Sequence, residues 1–523
     1  MTSPKVVKVK WQDLLHPLQV QPDEQTQVVI QTETIPILFV PGIMGSRLKR
    51  RQNGKDEWVW DPDRKVKMLT RYGLFVTAAG KQEKILGDKL DGSDLLVEET
   101  DADYAEHHAK DVKERVGDAP DLIERGWPGI SWSFYGYVLR RLYECEARKT
   151  WRDPIPKFFQ LPAYAVGYNW TASNLDSGKY LKERIEQIIK KHTDKGETCE
   201  QVILVTHSMG GLVSRSACML HGAASKVLGI IHGVQPVTGA PVAYWRMKAG
   251  FERTGGLVGI LTAWMLGDDQ KEVTALLANI AGGLQLLPNR DYKPDANETQ
   301  PGRWLEVRGT DGNLEELLPR QDPYEEIYEK RTGLLKLVTD RYLRPGASAS
   351  RIDDMWAKYL QTLSKAKDFH QTLGLQQHDE THPFYGTGTQ NKTVGKVRFV
   401  KKPWYPTASV ADDGYYEEPE PAEGEEECTG GDYRVFTHEG DHIVALELQQ
   451  ASDGGDGTVP ESSGSALKPK GESYGANVAS QAYGFPGIEH AQAYSEGAST
   501  FFYVFEAINK LCRLKIRRAW SGP

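Results

Sequence analysis

Short runs of branched apolar residues alternate along this chain with longer stretches in which apolar positions recur every three or four residues. The first run, Thr34-Ile35-Pro36-Ile37-Leu38-Phe39-Val40, passes directly into Pro41-Gly42-Ile43-Met44-Gly45-Ser46. An apolar run closed by proline and glycine predicts a buried strand entering a sharp loop. The same signature returns over residues 162–168, 201–205 and 227–231. Between these runs, residues 135–143 set apolar and basic positions at helical spacing. Residues 179–191 place Tyr180, Leu181, Ile185, Ile188 and Ile189 on or near one helix face, and residues 212–220 continue a helix after a glycine-rich turn. Strands that alternate with helices predict a parallel sheet covered on both faces.

Two long stretches break the alternation. Residues 49–130 are polar and irregular apart from Trp58-Val59-Trp60, and read as an inserted excursion. Residues 245–377 are dominated by helical patterns, the most apolar being 255–287, and read as a largely helical cap. Strand signals resume at 396–400 and 433–448, around an acidic tract, 412–427, that holds no basic residue. Like charges repel, so the stretch 405–430 is expected to be a solvated loop. A closing helix is expected over residues 499–516. The chain therefore divides into an N-terminal segment with the first core strand (1–48), the excursion (49–130), a core block (131–244), the cap (245–377) and a C-terminal core block (378–523).

Composition narrows the function. The 523 residues suffice for one large α/β core with insertions. A net charge of -8 and a pI near 6.0 offer no basic field for nucleic acid. With a mean hydropathy of -0.52 and no apolar run long enough to span a bilayer, the protein is expected to be soluble. The first ten residues carry lysines but no apolar stretch, so no classical secretory signal is expected and synthesis is placed in the cytoplasm. Five scattered cysteines without metal spacing read as isolated thiols of a reducing compartment.

The chemistry concentrates after the strand at 201–205. There Thr206-His207-Ser208-Met209-Gly210-Gly211 links a buried strand to a helix, the arrangement that lifts a serine hydroxyl above a sheet. Small residues are needed after the serine so that backbone can pass closely, and Gly210 and Gly211 supply them. Thr206 stands where the G-x-S-x-G pattern has its first glycine. A serine nucleophile needs a base, an acid that orients the base, and donors for the oxyanion. In an α/β-hydrolase fold the order is Ser, acid, His. Asp456, in Ser452-Asp453-Gly454-Gly455-Asp456-Gly457, and His490, in Gly487-Ile488-Glu489-His490, stand in that order. The amides of Ile43 and Met209 are the expected oxyanion donors. The pair His378 and His382 leaves an H-x-x-x-H metal reading open; the serine chemistry itself calls for no metal and no cofactor.

Taken together, Val40 to Ser46, Tyr168-Asn169-Trp170, Thr206 to Gly211, Thr238-Gly239-Ala240-Pro241, Leu286-Leu287-Pro288, Tyr385-Gly386-Thr387-Gly388, Gly455 to Thr458 and Glu489-His490 resemble the lecithin:cholesterol acyltransferase and lysosomal phospholipase group. They are similar also to the GPI inositol-deacylase-like lipases. The resemblance implies an α/β-hydrolase fold, triad roles for Ser208, Asp456 and His490, an oxyanion hole at Ile43 and Met209, and a lipid ester as substrate. The chain departs from that group at Asn169 and Thr171, and has no cysteine pair in 49–130 to brace a lid loop. It also resembles the lipase effectors of bacterial type VI secretion. That likeness implies attack on membrane phospholipid in the periplasm or at the membranes of a rival cell, with a cognate immunity protein and a secretion-apparatus component as partners. Independently of either resemblance, Leu257, Leu261, Trp264 and Met265 offer more apolar surface than one small helix needs and read as the face of a lid that opens at a lipid surface, with burial as ordinary cap core the alternative reading. Acyl transfer to an alcohol, and a fold retained only for binding, are the competing readings.

Overall fold

The computed structural model describes residues 5–15, 26–52, 54–73, 76–152, 155–251, 267, 269–295, 298, 302–405, 408–411, 414–417, 420–429, 431–440, 442–471 and 483–521. Six strands form the central sheet: β1 (Ile37–Val40), β2 (Ala163–Ala165), β3 (Val202–His207), β4 (Val227–Gly233), β5 (Thr381–Thr387) and β6 (Tyr483–Pro486), in the order β6-β5-β4-β3-β1-β2. Every pairing among them is parallel.

Strand periodicity splits these apolar runs between two cores. Leu38, Val40, Tyr164, Leu204 and Ile230 face one side. Ile37, Phe39, Ala163, Ala165, Ile203, Val205 and Ile231 face the other. Successive side chains of a strand point to opposite faces, so a run that is apolar at every position requires cover on both. Helices α2 (Asn174–Asp194) and α3 (Gly210–Met219) supply Leu181, Ile185, Leu212 and Val213 to the first core. On the second, α1 (Trp132–Ala147) supplies Tyr135, Val138 and Leu142, and the C-terminal α6 (Thr500–Ser521) supplies Val504, Ile508 and Leu511. A Cβ on Gly229 of β4 would lie 2.4 Å from the Leu511 side chain, so this glycine sets how closely α6 approaches the sheet. The result is an α/β-hydrolase fold.

Several expectations require correction. The strands expected in the C-terminal core block at 396–400 and 433–448 do not join the central sheet. Val397–Pro403, Asp432–Glu439 and His442–Leu448 belong to a second six-stranded sheet with Glu426–Thr429, Leu305–Arg308 and Leu314–Leu318. The cap keeps its helices, including α4 (Val242–Ala249) and α5 (Ala349–Leu373), but contributes two of that sheet's strands. The excursion is ordered: a three-stranded sheet of Leu48–Gln52, Lys55–Trp60 and Leu95–Val97, with helices, sends Val59, Trp60, Met68, Tyr72 and Ile85 into the same core as Leu204. The stretch 405–430 is not all loop, since it includes the hairpin of Ala408–Ala411 with Gly414–Glu417 and the edge strand Glu426–Thr429. There Glu426 is buried beside Lys248 of α4, 3.8 Å away, and accepts from Tyr433 and Thr339. A carboxylate with that many partners is held inside, not solvated.

Of the proposed lid, Leu257, Leu261, Trp264 and Met265 lie outside the described residues. Among the described residues of the apolar stretch, Leu276, Leu277, Ile280 and Leu284 are all buried in the core. The metal reading of His378 falls, because its Nδ1 accepts from the Glu380 amide at 3.0 Å and its Nε2 lies 3.2 Å from the Ala224 carbonyl. Among the described residues no cluster of three or more potential metal ligands occurs, and no helix is long and apolar enough to cross a membrane.

Burial also shapes the response to acid. It depresses the pKa of His207 and His382 to about 3 and that of His370 to about 4. Each is neutral in the fold, whereas in the unfolded chain it takes up a proton near pH 6.5. The stabilisation is therefore complete above pH 6.5 and is lost as pH falls from there to about 4 for His370 and about 3 for His207 and His382. Each such histidine contributes a slope of about 1.4 kcal/mol per pH unit in that window. Denaturant midpoints followed by tryptophan fluorescence are expected to be flat from pH 7 to 8 and to fall steeply between pH 6 and 4. A midpoint unchanged from pH 7 down to pH 4 would contradict this.

Candidate active site

Ser208 lies one residue beyond β3, at the turn into α3, with φ of 52°. A non-glycine residue in the left-handed region is strained and persists only where its surroundings hold it. The turn is held by the Ser208 amide, which donates to the Gly233 carbonyl at 2.9 Å, and by the Gly211 amide, which donates back to the Ser208 carbonyl. A Cβ on Gly210 would stand 2.4 Å from the Pro41 carbonyl oxygen and 2.5 Å from that of Val40. A Cβ on Gly42 would meet Ser208 Cβ at 3.0 Å and His207 Nδ1 at 2.8 Å. Gly210 is thus dictated by the main chain of Val40 and Pro41 passing beside it, and Gly42 by the side chains of His207 and Ser208. Thr206 is tolerated in place of the first glycine because it is a strand residue, fully buried, whose carbonyl accepts from Tyr494 Oη at 2.8 Å.

Asp456 and His490 come from chain segments far from the serine, and the fold brings all three side chains into one hydrogen-bonded line. His490 Nε2 is 2.9 Å from Ser208 Oγ, and His490 Nδ1 is 2.8 Å from Asp456 Oδ2. Asp456 is 1% exposed; its other oxygen, Oδ1, accepts from the amides of Thr458 at 2.9 Å and Val459 at 2.6 Å. The carboxylate is therefore fixed by backbone on one side and by the imidazole on the other. Its loop sits on β5, where a Cβ on Gly386 would lie 2.7 Å from Asp456 Cβ. That contact explains Gly386, the first glycine of Tyr385-Gly386-Thr387-Gly388. Asp453, three residues upstream, points elsewhere: it accepts from the Gly395 and Lys396 amides and pairs with Arg398, which holds its carboxyl below the usual range against the cost of burial.

The loop after β1 passes beside the serine. Neither the Ile43 nor the Met209 amide donates to a carbonyl or side chain among the described residues. Both are therefore available to an oxyanion, and Met209 precedes the first turn of α3, where the helix dipole adds partial positive charge. The loop is braced by Tyr168, whose hydroxyl donates to the Pro41 carbonyl at 3.0 Å and whose amide donates to Ser46 Oγ at 2.9 Å. Sequence reasoning missed three residues here: Tyr135, His207 and Tyr494. His207 adjoins the serine, and that was the only signal for it; the tyrosines are indistinguishable in sequence from core aromatics.

Residues 160–256, which run from the approach to β2 through the elbow and past α4, match the model of the PGAP1-like alpha/beta domain. The solved structure of the Tle4-Tli4 complex superimposes over 92% of this chain and 99% of the matched chain, with a TM-score of 0.66 at 23% identity. At that identity the likeness is one of fold. Phospholipase PlaB from Legionella pneumophila aligns over 60% of this chain and 78% of its own at 13% identity, with a TM-score of 0.18 that carries no structural argument. No curated protein sequence matches the chain.

Proposed function

We propose that this protein is a serine ester hydrolase that cleaves acyl esters of membrane glycerophospholipids. The observation that carries the reading is the Asp456–His490–Ser208 line, with separations of 2.8 and 2.9 Å, set at a strained strand-to-helix turn beside two undonated amides. Ser208 Oγ attacks the acyl carbonyl while His490 Nε2 takes its proton. Asp456 holds the imidazole with Nδ1–H towards itself and stabilises the imidazolium that forms. The Ile43 and Met209 amides receive the oxyanion. His490 then protonates the leaving alcohol, and water, activated by the same imidazole, releases the fatty acid. No metal or cofactor is called for.

A lipid substrate is supported by the PGAP1-like domain and by the motifs shared with phospholipases. We extend the reading to an antibacterial type VI effector, made in the cytoplasm and acting in the periplasm or at membranes of a target cell. In support, the structure that matches almost the whole chain is of a protein in complex with a second protein, Tli4; a neutralising immunity protein is the corresponding partner proposed here. Incubation with vesicles of mixed phospholipids, with Ser208→Ala as control, tests the chemistry. Free fatty acid and lysophospholipid are expected from the wild type alone. Ester exchange onto an added alcohol without fatty-acid release would replace hydrolysis by acyl transfer. Absence of any lipid product would remove the substrate class.

A further inference from the structure

We propose that Tyr135 and His207 form a one-way hydrogen-bond relay that positions the oxyanion loop and the main chain of His490 relative to each other, so that neither moves independently of the other during turnover. The proposal rests on the hydrolase reading above.

The proton order of this relay is fixed by its ends. At one end the Gly42 amide can only donate, and it donates to Tyr135 Oη at 3.1 Å. At the other, the His490 carbonyl can only accept, and His207 Nε2 lies 2.9 Å from it. His207 therefore carries its proton on Nε2, which leaves Nδ1 as an acceptor. Tyr135 Oη is 3.0 Å from that Nδ1, and its own proton points there. The sequence of bonds is Gly42 N–H to Tyr135, Tyr135 O–H to His207 Nδ1, and His207 Nε2–H to the His490 carbonyl. No member can be reversed without leaving a buried donor facing a donor, a costly arrangement away from water.

Geometry gives the relay its reach. Gly42 immediately precedes Ile43, whose amide is the oxyanion donor on this loop, so holding the Gly42 amide orients the peptide that leads into it. The loop rests directly on the tyrosine, since a Cβ on Gly45 would lie 2.7 Å from the Tyr135 ring. At the far end the His490 amide donates to the Asp456 carbonyl at 2.8 Å, and its carbonyl is held by His207. The base is thus fixed through both of its own backbone groups as well as through its ring. Tyr135 and His207 are 4% and 7% exposed, which keeps water from substituting for either partner. Burial also keeps His207 neutral, with its pKa lowered to about 3, so the accepting nitrogen persists across the pH range in which a serine hydrolase works.

Neither side chain touches Ser208 Oγ, so both are positioning residues. Tyr135→Phe keeps the ring and removes only the hydroxyl. It is expected to lower kcat on a short soluble ester by about 10- to 100-fold, less than the loss of an oxyanion donor itself, with KM within about two-fold. Affinity for a boronic acid, which forms a tetrahedral adduct on the serine, should fall by the same factor as kcat, because both need the loop in register. His207→Leu should lose more, and His207→Gln, which offers both a donor and an acceptor, should recover at least about ten-fold of that loss. A Tm lowered by only a few degrees in Tyr135→Phe, as the unpaired Gly42 amide requires, with the variant fully folded at the assay temperature, separates positioning from folding.

A Tyr135→Phe enzyme with wild-type kcat and boronate affinity would overturn the relay, and so would equal activity in the Gln and Leu variants of His207. Ser208→Ala in the same assay distinguishes the two levels. Loss of activity there with an unaffected Tyr135→Phe leaves the hydrolase reading standing without the relay, whereas activity retained in Ser208→Ala removes the hydrolase reading itself.

Discussion

Replacement of Ser208 by alanine is expected to lower kcat/KM for ester hydrolysis by about three orders of magnitude or more. In the proposed mechanism the hydroxyl is the atom that forms the acyl bond, and nothing else in the line from Asp456 to His490 can take its place. The fold should survive. Ser208 Oγ has one partner, His490 Nε2 at 2.9 Å, and the turn is held by backbone bonds that alanine retains. Loss of a single partly exposed hydrogen bond amounts to about 1 kcal/mol or less, so thermal unfolding should move by only a few degrees. Parallel measurement of Tm and of hydrolysis decides between a chemical and a structural role. Hydrolysis at the wild-type rate would remove Ser208 from the mechanism, and an unfolded variant would show that the serine is also needed to hold the elbow.

The elbow was legible in the sequence because its causes are local. A parallel strand covered on both faces must be apolar at nearly every position, and β3 and β4 are buried throughout. The glycines at 42 and 210 are forced by carbonyls and side chains within 3 Å of where a Cβ would stand, so the site leaves its mark on the order of residues itself. The order of Ser208, Asp456 and His490 follows from topology, since Asp456 sits against β5 and His490 lies beyond β6.

The second sheet was not legible, because its cause is remote. Leu305–Arg308 pairs in parallel with Val397–Pro403 across roughly ninety residues of chain, and neither strand carries a turn signal that would tie it to the other. Residues 49–130 concealed their core because Val59, Trp60, Met68 and Tyr72 are scattered among charges that pair with one another: Arg47 with Asp61 and Asp101, Lys49 with Asp56 and Glu98. Polarity there records a satisfied ion-pair network, not an absence of packing. Glu426 shows the same at one position. In sequence it belongs to an acidic run; in the fold it is the buried partner of Lys248.

Asp456→Asn is expected to reduce kcat by about 10³- to 10⁴-fold, far more than Asp453→Asn, by analogy with the same change in the serine-protease triad. The reason lies in which oxygen does what. Asp456 Oδ1 accepts two backbone N–H groups, from Thr458 and Val459, and Oδ2 receives His490 Nδ1. In asparagine the oxygen must stay with the two amides, because an NH₂ group there would face two donors. The amide nitrogen is then turned towards His490, where it presents a donor to Nδ1. His490 must accept it, which moves the imidazole proton to Nε2 and points it at Ser208 Oγ, the tautomer that cannot act as a base. Asp453→Asn touches a different set of contacts: the Gly395 and Lys396 amides and the Arg398 guanidinium. Weakening that pair should cost about 1–3 kcal/mol of stability and less than about ten-fold in kcat, since the loop that carries Asp456 stays seated on Gly386. Steady-state kinetics on a soluble ester, with denaturant melts of both variants, separates the two effects. A larger fall in kcat from Asp453→Asn would transfer the orienting role to Asp453, and small effects from both would place the acid elsewhere in the chain.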